Sequence, residues 1–469
     1  MPGFKTKKGS HAIIGTMTAC LSAFIVGNSF GWSAFTSDRY LKGEVGFTLT
    51  AHGCSLMESL LTFGAAVSCF PAGWIMDRIG RKRTLLTTAP ISLLAWCLIV
   101  WATSARTLYI GRFLLGISVG IACVAAPVYV TEICEKEIRG AIGSYFQVLL
   151  ANGVLFAYLI GSYLEVFKFS IICGLVSIAF CLSFFFFPET PVYLLRKGNI
   201  EGAVKSLKFF RGCDYDVENE MQELSRYSCS DSNVGKKVIY EIFTSKLGVK
   251  SMLLSIGLLA LQQFSGINGF VFNATTIFQA TGSSVGPKYA TIILGLMQVI
   301  GAFIVIFVVD KFGRIALLGT SAASMSVCTF IMGIFFYMKE NHFMVESVSW
   351  LPLLSLSVFV VAFSVGFGSV PWMVIPEILP AAIKGPGISI ACMCSWAAAF
   401  IVTEFFTDLI DLYGMGITLW TFSVVSLCSV LFTFTVLPET KGKSFDEIQN
   451  ELMGKSNKNI DKSDVDVPP

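Results

Sequence analysis

The sequence predicts an all-α membrane protein, with twelve transmembrane helices in two six-helix halves. Three observations predict it. Twelve apolar stretches are each long enough to cross a bilayer. Lys and Arg are dense in one set of alternate loops and sparse in the other. Three polar landmarks occur twice, in the same order, at equivalent ends of equivalent spans. The composition agrees: of 469 residues, 54% are apolar and 14% charged, against about 25% charged in an ordinary soluble domain. Such a chain lacks the charge to clothe a water-facing surface, which excludes a soluble enzyme and a disordered protein. A net charge of +3 also lacks the concentrated basic footprint of a nucleic-acid binder.

A spanning helix needs about 20 mostly apolar residues. Such stretches lie at 13–35, 51–76, 84–104, 108–133, 140–162, 169–188, 252–276, 288–309, 315–338, 350–376, 385–406 and 417–437. None shows the inward–outward alternation of barrel strands. The first follows Lys5, Lys7 and Lys8 but is too long for a signal peptide and has no small-residue cleavage site, so it is kept as a span.

An even number of spans puts both termini on one side. The termini and the loops on their side hold 27 of the 34 Lys and Arg. The opposite loops hold six (Arg39, Lys42, Arg106, Lys168, Lys288, Lys339), and Arg112 opens the fourth span. The positive-inside rule then makes both termini cytoplasmic, together with the loop at 189–250. That loop is charged and moderately periodic, at Glu201, Ala203, Val204, Leu207 and Phe210 and again at Val217, Met221 and Leu224. This pattern predicts short surface helices, with Ser228 to Lys237 as a flexible stretch. The expected plan is a first half at 1–190, a linker at 191–250, a second half at 251–440 and a cytoplasmic tail at 441–469, disordered from Gly454.

The landmarks define the repeat. Asp77-Arg78-Ile79-Gly80-Arg81 follows the second span, and Asp310-Lys311-Phe312-Gly313-Arg314 follows the eighth. Glu132 precedes Arg139-Gly140 by seven residues, and Glu377 precedes Lys384-Gly385 by the same seven. Pro188-Glu189-Thr190 ends the sixth span and Pro438-Glu439-Thr440 the twelfth. Parallel six-helix repeats about a central axis are a transporter architecture with substrate near mid-membrane. Isolated charges at helix ends are ordinary anchors, but this duplicated spacing points to a gating network. It comprises Asp77, Arg78, Arg81, Glu132, Arg139 and Glu189 in one half and Asp310, Arg314, Glu377, Lys384 and Glu439 in the other. Ion pairs among these helix ends are expected to hold the cytoplasmic face shut while the cavity faces outward.

Other chemistry is missing from the sequence. The 14 cysteines include no C-x-x-C pair; most, such as Cys20, Cys69, Cys97, Cys181 and Cys428, lie in apolar runs and read as small packing residues. There is no phosphate-binding G-x-x-x-x-G-K-[ST] loop, and no nucleophile–base or metal cluster at membrane depth. No enzyme, catalytic residue, metal or cofactor is expected.

The motifs together resemble the sugar porter family of the major facilitator superfamily, over nearly the whole chain to Leu452. They are Gly73 to Lys82, Gly111-Arg112, Pro127 to Gly140 and Pro188 to Leu195 in the first half. In the second half they are Gln262 to Asn268 (Q-Q-F-S-G-I-N), Gly366 to Trp372 (G-F-G-S-V-P-W) and Pro438 to Ile448. In detail they look most like the insect facilitated trehalose transporter-like branch. The resemblance implies the major facilitator fold and a small-molecule sugar as partner, besides the lipid bilayer.

A sugar is a ring of hydroxyls with an apolar face. Its site needs amides, which both donate and accept, and aromatic rings, at a depth where polar side chains are rare. Gln147 lies mid-way along the fifth span, Gln262, Gln263 and Asn268 along the seventh, Gln298 in the eighth, and Trp372 and Trp396 in the tenth and eleventh. A lone intramembrane amide equally suits a helix–helix hydrogen bond, and Trp396 equally suits apolar packing; the Gln262-Gln263-Asn268 cluster favours a site. The resemblance implies substrate contacts for all seven. Four positions depart from the family. Phe272 and Asn273 stand where two tyrosines are common, Ser395 where Asn is, and Lys384 where Arg is. The sequon Asn273-Ala274-Thr275 lies inside a predicted span and is set aside.

Gly366, Gly368, Pro371, Pro376, Pro380 and Pro386 crowd the tenth span and its exit, predicting a hinge beside Trp372. In proton-coupled members of the family the titrating group is an acid of the first span. Residues 13–35 contain no acid or histidine, and Ser29 stands near its place. Glu58 and Glu404 lie towards the outer ends of their spans, expected at the interface. The expected function is therefore passive, alternating-access transport of trehalose or a hexose such as glucose across the plasma membrane, by a monomer. A proton-coupled symporter and a non-transporting sugar sensor are the alternatives; a sensor would be expected to carry a longer signalling tail.

Overall fold

The computed structural model describes residues 10–134, 139–212, 217–218, 220–221, 244–283, 285–309, 311–343, 345–380, 383–443 and 445–453, with the side chains of 10, 139–143, 346 and 445–446 excepted. Among the described residues there is no strand. Six long helices form the first half: α1 (Ser10–Leu41), α2 (Ala51–Ile79), α3 (Arg81–Val100), α4 (Ala105–Ile133), α5 (Arg139–Tyr163) and α6 (Val166–Phe184). Two short ones follow, α7 (Pro191–Arg196) and α8 (Ile200–Arg211). The second half comprises α9 (Lys246–Phe264), α10 (Ile267–Phe272), α11 (Ala274–Thr281), α12 (Pro287–Val308), α13 (Arg314–Glu340), α14 (Leu351–Val365), α15 (Val370–Ile378) and α16 (Lys384–Thr435), and α17 (Phe445–Leu452) closes the described chain.

Eleven of these stretches are long and apolar enough to cross a membrane. The last, α16, has 52 residues and a non-helical break at Gly414 (φ 84°, ψ 161°). At 1.5 Å per residue it is about 78 Å long, more than twice a hydrocarbon core, so it supplies two spans and the total is twelve. Only glycine enters that backbone region without strain. The break is tied to α13, where Glu340 Oε1 accepts from the Met415 N–H at 2.7 Å.

Two spans read as continuous are interrupted. The seventh breaks at Gly266 (φ 88°) and again at Asn273, giving α9, α10 and α11. The tenth breaks between Val365 and Val370. Unwound backbone inside a membrane must find partners within the protein, and here it does. Ser321 Oγ on α13 donates to Ala362 O at 2.7 Å and accepts from the Phe367 N–H at 3.3 Å, while Gln262 Nε2 donates to Phe367 O.

Small residues set the helix pairing. A Cβ added at Gly27 would meet Leu150 O of α5 at 1.9 Å, and one at Gly153 would meet Phe24 O of α1 at 2.3 Å. Gly64 and Gly116 bring α2 against α4 in the same way, at 2.3 Å and 2.1 Å. Close backbone approach of this kind gives dispersion contact where no hydrophobic effect acts between helices.

The halves meet along α2 with α16 and along α5 with α12, while α1 touches α10 and α11. Under the six-span duplication, spans 2 and 5 correspond to 8 and 11, so the first two seams are one contact made twice. Large apolar side chains remain exposed on the bundle, among them Trp74, Leu182, Phe186, Phe307 and Phe434, a surface suited to lipid rather than water. Cys97 and Cys428 belong to it; they are exposed rather than packed inside.

The loop after α6 is helical where its periodicity says. Ala203, Leu207 and Phe210 are buried, and Asn199 caps α8 by accepting from the Gly202 N–H at 2.8 Å. Leu224, the stretch 228–237 and the tail from Gly454 lie outside the described residues.

Candidate functional site

Breaking span 7 has a purpose visible in its polar residues. Gln262 and Gln263 end α9, and Asn268 begins α10 just past the Gly266 turn. The turn folds Asn268 back so that its Nδ2 donates to Gln263 Oε1 at 2.7 Å. Gln263 Nε2 donates to Ser395 Oγ on α16 at 3.0 Å and, more weakly, to Gln262 Oε1 at 3.4 Å. All three amides are buried. They form one chain of donors and acceptors within the bundle, the arrangement that exchanges hydrogen bonds with hydroxyls.

Trp396 adjoins Ser395. It is 5% exposed, and its indole Nε1 has no hydrogen-bond partner among the described residues. Its ring meets Phe30 of α1 edge-on at 5.8 Å, and Phe30 meets Phe272 of α10 at 5.4 Å. This aromatic plug joins the two halves beside the amide chain. Phe30 was not among the expected site residues, and Phe272 appeared only as a departure.

The other expected site residues fall elsewhere. Gln147 on α5 and Gln298 on α12 flank the second seam, where Val148 and Ala151 pack on Val299 and Ala302. Both amides are in buried residues and show no hydrogen bond among the described residues. Trp372, near the start of α15, is half-buried and packs against the cluster of Leu259, Ile375 and Ala391. Glu58 does not reach the interface. It is 2% exposed and accepts from Ser37 Oγ at 2.8 Å and from Asn273 Nδ2 at 3.0 Å. Glu404 is half-buried and accepts from Ser59 Oγ. The first-span position near which an acid was sought holds Ser29, whose Oγ donates to Ile25 O at 2.7 Å.

The duplicated charges build two networks, each within its own half. In the first, Arg81 Nε pairs with Glu132 Oε1 at 3.1 Å and Nη1 with Asp77 Oδ1 at 3.4 Å. Thr190 Oγ1 donates to Glu132 Oε2 at 2.5 Å. Glu189 takes the N-terminus of α3, accepting from the Arg81 and Lys82 N–H groups at 3.1 Å and 3.0 Å. This satisfies orphan donors and opposes the helix dipole with negative charge. Arg78 lies over the Trp74 ring at 3.8 Å, and its carbonyl accepts from Tyr193 OH at 2.8 Å.

In the second half Glu439 does the same for α13, accepting from the Arg314 N–H at 2.9 Å and the Ile315 N–H at 3.1 Å. The rest is looser. Arg314 Nη2 stands 3.5 Å from Glu377 Oε1, and Arg314 Nε, Glu377 Oε2 and Thr440 Oγ1 are buried with no hydrogen-bond partner among the described residues. Among the described residues, the Arg–Glu pair is therefore longer in the second network and the Thr–Glu bond has no counterpart there. Lys384 opens α16. Arg139 opens α5, with its side chain outside the described residues, and Asp310 lies outside them altogether.

The two capping glutamates differ electrostatically. Burial pushes Glu189 above the usual carboxylate range, outweighing the N–H groups of Lys82 and Thr190 and the charge of Arg81. Burial also raises Glu439, but more weakly than the N–H groups of Lys441, Arg314, Ile315 and Thr440 lower it, so its carboxyl sits below that range.

Among the described residues, no group of three or more His, Cys, Asp or Glu side chains is placed to hold a metal ion. Residues 8–452 match the family described as "Sugar (and other) transporter". The chain belongs to that family. Its relatives include the "Facilitated trehalose transporter Tret1" of Bombyx mori, 35% identical over 456 residues that make up 96% of this chain and 90% of the silkworm protein. The protein of the same name from Anopheles gambiae is 33% identical over 94% of this chain, which spans 56% of that longer relative. The one from Apis mellifera ligustica is 32% identical over 94% of this chain and 88% of its own length. As a sugar transporter family member the chain is a multi-pass membrane protein and not an enzyme. It shares its fold with the major facilitator proton:xylose symporter XylE bound to 6-bromo-6-deoxy-D-glucose, with TM-score 0.77, 24% identity and coverage of 94% of this chain and 99% of the symporter. The partially occluded inward open form of XylE from E. coli superposes with the same TM-score at 23% identity, over 93% of this chain and 100% of that one.

Proposed function

We propose that this sugar transporter family member carries trehalose, or a hexose such as glucose, passively across the plasma membrane by alternating access. The observation that carries the reading is the Gln263–Asn268–Ser395 hydrogen-bond chain beside the Trp396 indole, in a chain whose relatives are described as facilitated trehalose transporters.

In this reading the sugar's hydroxyls exchange partners with Gln262, Gln263 and Asn268 and bond Gln147 and Gln298 across the second seam. Trp372 and Trp396 supply the apolar and N–H contacts. The moving bodies are residues 1–190 and 251–440, joined by the linker at 191–250 and followed by the tail at 441–469, with both termini cytoplasmic and the monomer as the working unit. The networks of Arg81, Glu132 and Glu189 and of Arg314, Glu377 and Glu439 were expected to shut the cytoplasmic face; because their described contacts stay within one half, this reading gives them the role of holding the helix ends of each half rigid so that the halves rock as bodies. The break at 366–369 bends span 10 beside Trp372. Passive transport is favoured by the neutral Ser29 and its bond to the backbone.

Counterflow of labelled trehalose and glucose in proteoliposomes tests the proposal. Exchange of either sugar without a pH gradient supports it. Absence of exchange of both, or full retention when Gln262 and Gln263 are both changed to leucine, overturns it. Unchanged kinetics in a Gly368→Ala, Pro371→Ala variant would remove the hinge from the mechanism.

A further inference from the structure

Glu58 stands about two turns into α2 from the face opposite the termini and is buried on every side. Its two oxygens bond in different directions. Oε1 accepts from Ser37 on α1, within its own half. Oε2 accepts from Asn273, across the seam, at the junction between α10 and α11. Asn273 follows Phe272, the residue that closes on Phe30 in the aromatic plug. The bond therefore fastens the segment that must swing away if the amide chain is to open to that face.

We propose that Glu58–Asn273 is the latch of this gate, and that a proton on Glu58 loosens it, so that opening depends on the pH of that side while no proton crosses. The inference rests on the alternating-access reading but not on which sugar is carried.

The chemistry follows from the donors. A bond to an ionised acceptor is about twice as strong as a neutral one. A proton on Oε2 would set a donor against the Asn273 NH2, and one on Oε1 would leave only a neutral acceptor. On α4 the buried Arg112 is held by Met57 O at 3.1 Å, Ser29 O at 3.0 Å and Ser33 Oγ at 2.7 Å. The other titratable groups nearby are Asp38 and Tyr40 on α1, Cys54 on α2 and Glu404 on α16. Helices α10 and α11 bring none. With the plug between latch and amides, the proton enters and leaves on one side.

The test is a distance measurement on the full chain in nanodiscs without sugar. Spin labels are placed at Glu44→Cys, exposed just past the end of α1, and Ala280→Cys, exposed near the end of α11, with the native cysteines replaced by serine. From pH 8 to pH 5 the open population should rise roughly tenfold relative to the closed one. Glu58→Gln should hold the low-pH mixture at every pH. Asn273→Asp should reverse the response, open at pH 8 where two carboxylates face each other and closing as one takes up a proton. Asn273→Ala should be open and insensitive to pH. A constant wild-type distribution, a wild-type response in Glu58→Gln, or a closed Asn273→Ala overturns the latch. Labelled-trehalose and glucose exchange measured alongside separates the two readings: the expected distance changes with no sugar exchange keep the latch and remove the sugar.

Discussion

Gln263 on α9 and Ser395 on α16 are joined by a 3.0 Å hydrogen bond, the amide Nε2 donating to the hydroxyl. The same amide accepts from Asn268 through Oε1 at 2.7 Å, so both of its ends are engaged inside the protein. In the proposed site a sugar hydroxyl trades one set of bonds for another, which makes affinity most sensitive to Gln263, the residue engaged at both ends.

Gln263→Leu removes a donor and an acceptor and leaves Asn268 unpaired. Losing bonds of this kind in a buried site costs about 2–3 kcal/mol, so sugar affinity should fall roughly 30- to 150-fold, read by equilibrium binding of labelled trehalose and glucose. Ser395→Ala frees one Gln263 N–H without removing it and should change affinity by less than about threefold. Equal losses in the two variants would take Gln263 out of contact with the sugar.

Trp396 offers a cleaner separation of binding from folding. Its buried Nε1 has no partner among the described residues, so Trp396→Phe deletes an unsatisfied donor while keeping the ring that meets Phe30. Thermal unfolding in detergent should shift by less than the equivalent of about 1 kcal/mol, while sugar affinity falls by about 5- to 15-fold for one lost hydrogen bond. A variant that unfolds readily yet binds normally would assign the indole to packing alone.

Much of this was legible in the sequence because membrane helices announce themselves by length and apolarity, and the repeat by its punctuation. The interruptions of spans 7 and 10 were partly legible: glycine and proline crowd residues 366–376, whereas Gly266 alone marks the bend before Asn268. The seam partners were not. Phe30 is one aromatic among 41 phenylalanines, and only three-dimensional packing sets it between Phe272 and Trp396. Glu58 looked like an interfacial acid because depth along a helix is visible in sequence while its facing is not; the structure turns it toward Ser37 and Asn273. The sequence also presents the two landmark networks as twins. Their unequal closure depends on distances of a few tenths of an ångström that no residue pattern carries.

That inequality has a direct consequence. Thr190 Oγ1 bonds the Glu132 carboxylate at 2.5 Å, while its counterpart Thr440 Oγ1 is buried with no partner among the described residues. Thr190→Val loses a hydrogen bond to a charged group and should destabilise by about 1.5–3 kcal/mol, whereas Thr440→Val removes an unsatisfied hydroxyl and should be neutral or stabilising. Paired thermal melts of the two variants check this, and equal destabilisation would mean that the second network closes as the first does.

The capping glutamates should respond oppositely to pH. For Glu439 the folded value lies below the ordinary 4.5, so the unfolded chain binds more protons in that window. The stabilisation it gives is complete above pH 4.5 and is lost as pH falls through the depressed value. For Glu189 the folded value lies above 4.5, so the folded chain holds the proton more tightly, and stability declines as pH rises from 4.5 through the raised value. Replacing each by Gln removes its titration. The destabilisation by Glu439→Gln should be larger at pH 7 than in acid, because the N–H groups of Arg314 and Ile315 then lose a charged cap, a loss of about 1 kcal/mol. The destabilisation by Glu189→Gln should be smaller at pH 7 than at pH 4. Unfolding of both variants and the wild type across pH 4 to 7 checks the pair, and parallel profiles would show that burial does not distinguish the two caps.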